Sequence, residues 1–168
     1  MKYLAAIAVL ISVPATAEVV SADAHDFEVR ESVQTKLAPA AAWAAFLQIG
    51  RWWSAEHSYS GNTSNLSLDA RPGGCFCERI GGSSGVEHMR VAVALPPKRL
   101  VMTGSLGPLL YEGTNGIMDV TFDPVADGTT VRIDYRTSGF VHANADKLAP
   151  AVDHVLAQQL GRYAAAAR

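Results

Sequence analysis

The sequence predicts an α+β domain in which an antiparallel sheet precedes one long helix. Apolar and polar residues alternate in several short segments after residue 26, which is typical of half-buried strands. A stripe with helical spacing then runs to the end of the chain, from Val152 through Leu156 and Leu160 to Tyr163. Strands grouped before a helix, rather than alternating with helices, favour the α+β class.

The first elements follow from residues 27–53. Residues 27–37 alternate as a half-buried strand, and Pro39 is suited to the first position of a helix. Trp43 lies on the apolar face of that helix, Gly50 ends it, and Arg51-Trp52-Trp53 predicts a second short helical turn.

The middle of the chain predicts about six further strands joined by turns. Gly- and Ser-rich segments and Pro96-Pro97 separate the alternating stretches. The predicted strands cover residues 66–69, 75–80, 87–95, 99–104, 116–123 and 131–137, and the last helix covers about 149–167.

The N-terminus has the pattern of a secretory signal peptide. Met1-Lys2 is a positively charged start, Leu4 to Val13 is apolar, and Pro14 to Ala17 ends the run with small residues. The apolar run is too short for an uncleaved membrane anchor, which needs about 20 residues. We therefore expect residues 1–17 to be removed, 18–26 to be a flexible leader, and 27–168 to be a periplasmic or secreted domain without stable membrane insertion.

Charge and motifs limit the classes of function. The net charge is −2 and no basic run is present, so a nucleic-acid partner is not expected. The sequence contains no phosphate-binding loop, dinucleotide fingerprint or Ser-His-Asp nucleophile motif, so we expect no cofactor. A well-charged outer sheet face predicts a monomer or weak dimer.

An ordered set of motifs resembles the START-like helix-grip (SRPBCC) superfamily, in its branch of polyketide-cyclase-like and heat-shock-ATPase-activator-homologue proteins. The resemblance extends from about Phe27 to Tyr163. The motifs are Lys36-Leu37-Ala38-Pro39 leading to Ala42-Trp43, the pair Trp52-Trp53, Pro72-Gly73-Gly74-x-Phe76-x-Glu78, Pro96-Pro97-x-Arg99-Leu100, and the Asp127-Gly128-Thr129 hairpin.

The resemblance implies a curved antiparallel sheet of about six to seven strands around a long C-terminal helix, with two short helices after the first strand. It also implies an apolar cavity between sheet and helix. Members bind lipids, polyketides, hormones or other hydrophobic molecules, and some are cyclases. No catalytic set carries over, and the predicted export argues against a role as activator of a cytosolic ATPase.

Glu78 is the first candidate for chemistry. It lies in strand phase with Phe76, so both side chains are expected to point inward. Apolar surroundings would raise the pKa of this carboxyl and suit it to acid or base catalysis. The alternative, which we favour, is a structural Glu satisfied by Arg or backbone N–H groups. His57 and Tyr59 lie on the loop at the expected cavity mouth and could orient a ligand, although a merely exposed position is favoured for His57.

Two further acids, Glu31 and Glu87, share strand faces with apolar residues and could enter the cavity, but solvated positions are favoured. His88 has the opposite strand phase from Glu87, so no dyad is expected there. The residues His142, Asp146 and His154 lack the spacing of a metal site, and we expect none.

Cys75 and Cys77 point the same way along one predicted strand. Their Cα atoms would lie ~6.6 Å apart there, near the upper limit for a disulfide. An oxidising compartment favours a bridge and strand geometry opposes it. Two small buried thiols are therefore favoured over a disulfide, with metal or redox function as a further alternative.

The leading hypothesis is a binding module for a small hydrophobic or amphipathic molecule. The first alternative is a cyclase, lyase or isomerase using Glu78 as acid or base, and the second is an envelope interaction protein whose cavity is filled by side chains. The residues expected to contact the ligand are Trp52, Trp53, Phe76, Glu78, Met89, Met118, Phe122, Tyr135, Val152 and Leu156.

Overall fold

The computed structural model describes residues 16–167. The predicted signal peptide lies almost entirely outside these residues, and its predicted cleavage point after Ala17 falls inside the first strand. The strands are β1 (Thr16–Ala22), β2 (Asp26–Thr35), β3 (Leu66–Leu68), β4 (Cys75–Gly81), β5 (Ser84–Leu95), β6 (Arg99–Thr103), β7 (Asn115–Val125) and β8 (Gly128–Ser138). The helices are α1 (Pro39–Leu47) and α2 (Ala145–Ala166), and 3-10 turns cover 49–51, 55–57, 63–65 and 107–112.

The strands form one antiparallel sheet in the order β1-β2-β8-β7-β6-β5-β4-β3. Strands β3 to β8 are a meander in which each strand pairs with its neighbour in sequence. Strand β2 joins this meander beside β8, so the first part of the chain lies against the last strand. The predicted α+β, helix-grip architecture is confirmed, with eight described strands instead of six or seven.

The extra strand is β1, where the sequence predicts a flexible leader over residues 18–26. Thr16–Ala22 pairs antiparallel with β2, and a register shift lies between Val19 and Ser21. The leader prediction is therefore wrong for most of its length. Removal of residues 1–17 would leave Glu18–Ala22 to form this edge strand.

Helix α2 packs against β2 and β1. It begins at Ala145, before the predicted start near Ala149, and contains Pro150 inside its second turn. Leu156, Leu160 and Tyr163 are buried, as the predicted apolar stripe requires. Within residues 16–167, none of the helices combines the length and apolar character needed to cross a bilayer.

Aromatic side chains fill the space between the sheet and the C-terminal half of α2. Phe46 is the centre of this cluster, with ring centroids 5.0 Å from Trp52 and 5.5 Å from both Phe122 and Tyr163. The Tyr163 hydroxyl donates to the Ala42 carbonyl at 2.9 Å, which ties α2 to α1. This half of the interior is closed, so any cavity must lie toward the other end of α2.

Candidate functional site

A cavity of about 460 Å³, partly open to solvent, lies beside the N-terminal half of α2. Its wall is mainly apolar. One side is α2, a second is the segment that carries Trp53 and the 55–57 turn, and a third is the 107–112 turn. The lining residues are Trp53, Glu56, His57, Ser58, Tyr59, His88, Leu106, Gly107, Pro108, Leu109, Tyr111, Leu148, Ala151, Val152, Val155 and Leu156.

Helix α2 also fixes the loop that forms the opposite wall. The buried Gln159 side chain accepts a hydrogen bond from the Ser54 amide at 2.7 Å, and Arg162 donates to the Trp52 carbonyl at 2.8 Å. The Trp53 indole N–H donates to the His57 carbonyl at 2.7 Å. These bonds hold the loop in a defined conformation, so this wall of the cavity is preorganised.

A buried Glu78–His88 pair is the main polar feature of the site. The His88 Nε2 and Glu78 Oε2 atoms lie 3.0 Å apart, and the side chains are 5% and 0% exposed. Two backbone amides complete the carboxylate environment, because Tyr59 N–H donates to Oε2 at 3.0 Å and Ser60 N–H to Oε1 at 2.5 Å. Glu78 thus connects strand β4, the 58–60 loop and the cavity histidine.

A β-bulge places His88 inside. Phe76 pairs with Met89 and Cys77 with Glu87, so His88 is the unpaired extra residue of β5. Consecutive residues His88 and Met89 are consequently both buried, which simple alternation forbids. The bulge explains why the sequence did not predict the Glu78–His88 pair. The alternation of inward and outward side chains along β5 changes at His88 itself.

Electrostatics give the two groups different protonation states. Burial raises the pKa of Glu78, but hydrogen bonds from Ser60, the Tyr59 amide and His88 together outweigh it and hold the pKa below 4.5. Burial lowers the pKa of His88 below 6.5, against the opposing influence of Glu78. Near neutral pH, Glu78 is therefore a carboxylate and His88 a neutral imidazole.

The raised pKa expected for Glu78 as a catalytic acid or base is corrected by this arrangement, whereas the favoured interpretation, a carboxylate satisfied by backbone N–H groups, agrees with it. An ionised Glu78 accepts the Nε2 proton, which leaves the Nδ1 lone pair of His88 free. No described residue hydrogen-bonds to Nδ1. His88 is therefore the group that can accept a proton or hydrogen bond from a ligand, and Glu78 orients it.

Aromatic rings hold the imidazole from two sides. The Phe76 ring stacks on His88 with a centroid distance of 4.6 Å, and Tyr59 lies at 5.8 Å. Trp53 packs its edge against Phe76 at 5.1 Å. The Tyr59 hydroxyl donates to the Gly107 carbonyl at 3.2 Å, and burial, followed by its interaction with Tyr111, raises the Tyr59 pKa above 10.0. Tyr59 thus bridges the cavity mouth to the 107–112 turn.

Only some of the residues predicted to contact a ligand lie in the cavity wall. Trp53, Val152 and Leu156 line the cavity, together with the candidates His57 and Tyr59. Phe76 and Glu78 support His88 from behind. The other predicted contacts belong to the closed core and are absent from the cavity wall; these are Trp52, Met89, Met118, Phe122 and Tyr135.

Most of the missed lining residues come from the 106–111 segment and from α2, and the others are Glu56, Ser58 and His88. No regular element is predicted between the strands at 99–104 and 116–123, whereas Leu106, Leu109 and Tyr111 of this segment face the cavity. The apolar character of this segment was the signal that could have indicated a binding wall.

The predicted solvated position is found for Glu87 but not for Glu31. Glu87 is exposed and forms an ion pair with Arg90, as the favoured interpretation predicts. Glu31 is fully buried on β2, contrary to the favoured solvated position. Burial, and then the neighbouring Asp153 carboxyl of α2, raise the pKa of Glu31 to about 9. Glu31 does not line the cavity, so this acid is a feature of the β2–α2 contact.

Cys75 and Cys77 form a disulfide, contrary to the prediction of two thiols. Their Cα atoms lie 5.4 Å apart, compared with ~6.6 Å in a regular strand. A register shift of the β4–β5 pair lies between Phe76 and Cys77, at the position of the bridge. The two sulfurs also lie within 4.8 Å of a Glu87 oxygen, but a disulfide offers no thiolate to a metal ion.

A curved antiparallel sheet that grips a long C-terminal helix, with a cavity beside that helix, defines the START-like helix-grip class. A family model described as Activator of Hsp90 ATPase homolog 1-like protein matches residues 36–165, and the chain belongs to that family. The matched residues extend from just after β2 to the last turn of α2.

Solved structures agree with this fold. A protein from Rhodobacter sphaeroides is 17% identical with a TM-score of 0.57, over 89% of this chain and 96% of its own. CalU16 from Micromonospora echinospora is 15% identical with a TM-score of 0.52, over 89% and 84% of the two chains. A protein from Mesorhizobium loti is 16% identical with a TM-score of 0.58, over 83% and 95%. The comparison with curated proteins finds no match.

Proposed function

We propose that the protein binds a small amphipathic molecule in the cavity beside α2. The observation that carries this proposal is an apolar cavity of about 460 Å³ with the oriented His88–Glu78 pair in its wall. Its volume lies in the range of small-molecule sites, roughly 300–1,000 Å³. The open cavity also counts against an interaction protein whose interior is filled.

The chemistry of the wall defines the ligand class. Leu109, Val152 and Leu156 suit an apolar body, and His88, whose Nδ1 is an acceptor, provides a polar group in the same wall. The ligand therefore carries a hydroxyl or N–H donor on an otherwise apolar skeleton. A molecule without that donor would leave Nδ1 unpaired against apolar surroundings, which costs binding energy.

Fluorescence titration with an anilinonaphthalene probe tests the cavity. Val155→Trp fills the wall and should weaken probe binding at least tenfold, whereas Gln158→Trp places the same side chain on the exposed face of α2 and should not. Equal affinity in the two variants would show that the probe binds elsewhere. Native mass spectrometry of the protein from its own cells would identify a retained ligand.

A matched pair of ligands tests the polar group. We expect 2-naphthol to bind several-fold more tightly than naphthalene, since one hydrogen bond contributes about 0.5–1.5 kcal/mol. His88→Phe should remove this preference while keeping naphthalene affinity. A preference that persists in His88→Phe would place the hydroxyl at another group.

The Glu78–His88 contact also favours a second candidate, an enzyme that removes a proton from a bound molecule. His88 would be the general base and Glu78 its positioning residue. Deuterium uptake at an acidic C–H of a ligand retained by the protein, followed by NMR in D₂O, tests this reaction. Exchange that is lost in His88→Gln supports catalysis, and no exchange with the native protein restricts the function to binding.

We further propose that the protein works outside the cytoplasm, after cleavage following Ala17. The N-terminal pattern supports this, as does the Cys75–Cys77 disulfide, because such bonds persist in oxidising compartments. Cell fractionation and N-terminal sequencing test it. A cytoplasmic protein that retains Met1 would contradict it.

A further inference from the structure

The Cys75–Cys77 disulfide has unusual surroundings for a structural bridge. The cysteines are separated by two positions and lie on the outward side of β4, partly accessible to solvent. A disulfide restricts the unfolded chain more when it closes a longer loop, and this loop contains only Phe76 between the cysteines. Holding the fold together is therefore a minor part of what this bond does.

The bond sits at the bulge that forms the site. The register shift between Phe76 and Cys77 is the same irregularity that leaves His88 unpaired and turned inward. Phe76, enclosed by the two cysteines, stacks on the His88 ring at 4.6 Å. Any change in the backbone of residues 75–77 is thus transmitted to the imidazole through a direct ring contact.

Charged side chains flank the sulfurs. Arg90 lies opposite Cys75 and Glu87 opposite Cys77 across the β4–β5 pair. Arg90 also donates to the Gly73 carbonyl at 3.0 Å, which keeps it beside the turn that precedes Cys75. A Glu87 oxygen lies within 4.8 Å of both sulfurs, and the ion pair with Arg90 offsets this negative charge, which alone would disfavour the thiolate that takes part in thiol–disulfide exchange.

We propose that Cys75 and Cys77 form a reversible thiol–disulfide exchange site whose redox state sets the position of His88 in the cavity wall. The electron donor is a dithiol, either a small molecule or a protein. This inference concerns the histidine itself and holds whether or not the cavity binds the proposed ligand.

The exchange balances without another reactant. A thiolate of the dithiol attacks one cysteine sulfur, breaks the Cys75–Cys77 bond and forms a mixed disulfide while the other sulfur leaves as a thiolate. The second thiol of the donor then attacks the mixed disulfide and releases the remaining cysteine. Two electrons and two protons pass to the protein, and the donor becomes a disulfide.

Reduction removes the covalent restraint on residues 75–77. The Cα atoms of Cys75 and Cys77 can then separate from 5.4 Å toward the ~6.6 Å of a regular strand. Phe76 moves with this backbone and no longer stacks on His88 in the same way. We therefore expect reduction to loosen the Glu78–His88 pair.

The exchange is tested by equilibrating the folded protein in a series of buffers that differ in the ratio of reduced to oxidised dithiothreitol. Quenching with N-ethylmaleimide should give a reversible transition between no label and two labels by intact mass, under conditions where circular dichroism is unchanged. Arg90→Gln should slow alkylation of the reduced protein several-fold. A disulfide that is reduced only when the protein unfolds would overturn the proposal.

Histidine NMR tests the link to the cavity. On reduction, the ring signals of His88 should shift, while those of His25, His142 and His154 stay in place. Cys75→Ser/Cys77→Ser should reproduce the reduced spectrum, and reduction of the native protein gives the same information if that variant does not fold. Reduction that leaves the His88 signals unchanged would refute the coupling. This measurement uses the protein without a ligand. A shift of the His88 signals, or its absence, is therefore independent of whether the cavity binds 2-naphthol.

Discussion

Replacing Glu31 with glutamine should stabilise the fold at neutral pH and remove much of its pH dependence. Glu31 is fully buried, and neither of its carboxyl oxygens has a hydrogen-bond donor among the described residues. Burial and the nearby Asp153 carboxyl raise its pKa from 4.5 to about 9. The folded chain therefore keeps a proton that the unfolded chain releases.

The direction in which the free energy of unfolding changes with pH follows from the number of protons that the folded and unfolded chains bind. Below pH 4.5 both states hold the proton, and the folded chain suffers no penalty. As pH rises from 4.5 toward 9, only the unfolded chain loses it, so the free energy of unfolding falls by up to ~1.4 kcal/mol per pH unit. At pH 7 the accumulated loss is roughly 3 kcal/mol. Glu31→Gln keeps the shape of the side chain and removes this loss.

Urea unfolding followed by tryptophan fluorescence at pH 5, 7 and 8.5 measures the effect. The stability of Glu31→Gln should exceed that of the native chain by an amount that grows across the series. Glu18→Gln changes an exposed Glu on the neighbouring strand and serves as the control, with an expected effect within about 0.5 kcal/mol at each pH. Parallel curves for the native chain and Glu31→Gln would refute the reasoning.

Three further substitutions test the packing of the fold by thermal unfolding. Gly161→Ala, in α2 with nothing within 4 Å of the added Cβ, should stabilise by about 0.5–1 kcal/mol, and a lower melting temperature would contradict an open position. Gly128→Ala should destabilise by more than ~1 kcal/mol, because its φ is +140° and the Cβ would lie 1.9 Å from the Thr35 carbonyl oxygen; an unchanged melting temperature would argue against this turn geometry. Tyr163→Phe should cost about 0.5–1.5 kcal/mol by removing the hydrogen bond from its hydroxyl to the Ala42 carbonyl, and a neutral effect would mean that this hydrogen bond is not formed.

Regular elements could be predicted because their sequence patterns are continuous. The alternation of Phe27, Val29 and Val33 holds along β2, and all three are buried. Pro39 occupies the first turn of α1 as expected. In both cases local periodicity and burial agree, so the sequence alone determines the element and its inward face.

The site depends on irregularities that periodicity does not encode. One unpaired residue in β5 turns His88 inward and exposes Glu87, so a strict period of two assigns both the wrong way. The Cys75–Cys77 disulfide lies at the same register shift, and strand periodicity does not predict it. A β-bulge is stabilised by contacts across the sheet, and residues distant in sequence therefore decide it.

The burial of Glu31 illustrates a different limit. Its strand phase points inward, yet the general cost of burying a carboxylate favours a solvated position. The structure resolves this conflict by raising the pKa of Glu31 rather than by turning its side chain outward. Composition gives the cost of such a group but not the route by which a fold accommodates it.

The position of β2 in the sheet determines when the sheet can be completed during synthesis of the chain. Strands β3 to β8 pair with their neighbours in sequence and can associate as they emerge. Strand β2 pairs on one side with β8, so residues 26–35 must wait for residues 128–138. Until then β2 can pair only with β1, and its open edge and apolar face are prone to association with other chains. A nascent polypeptide of this topology therefore leaves one edge of β2 open until residues 128–138 have been made.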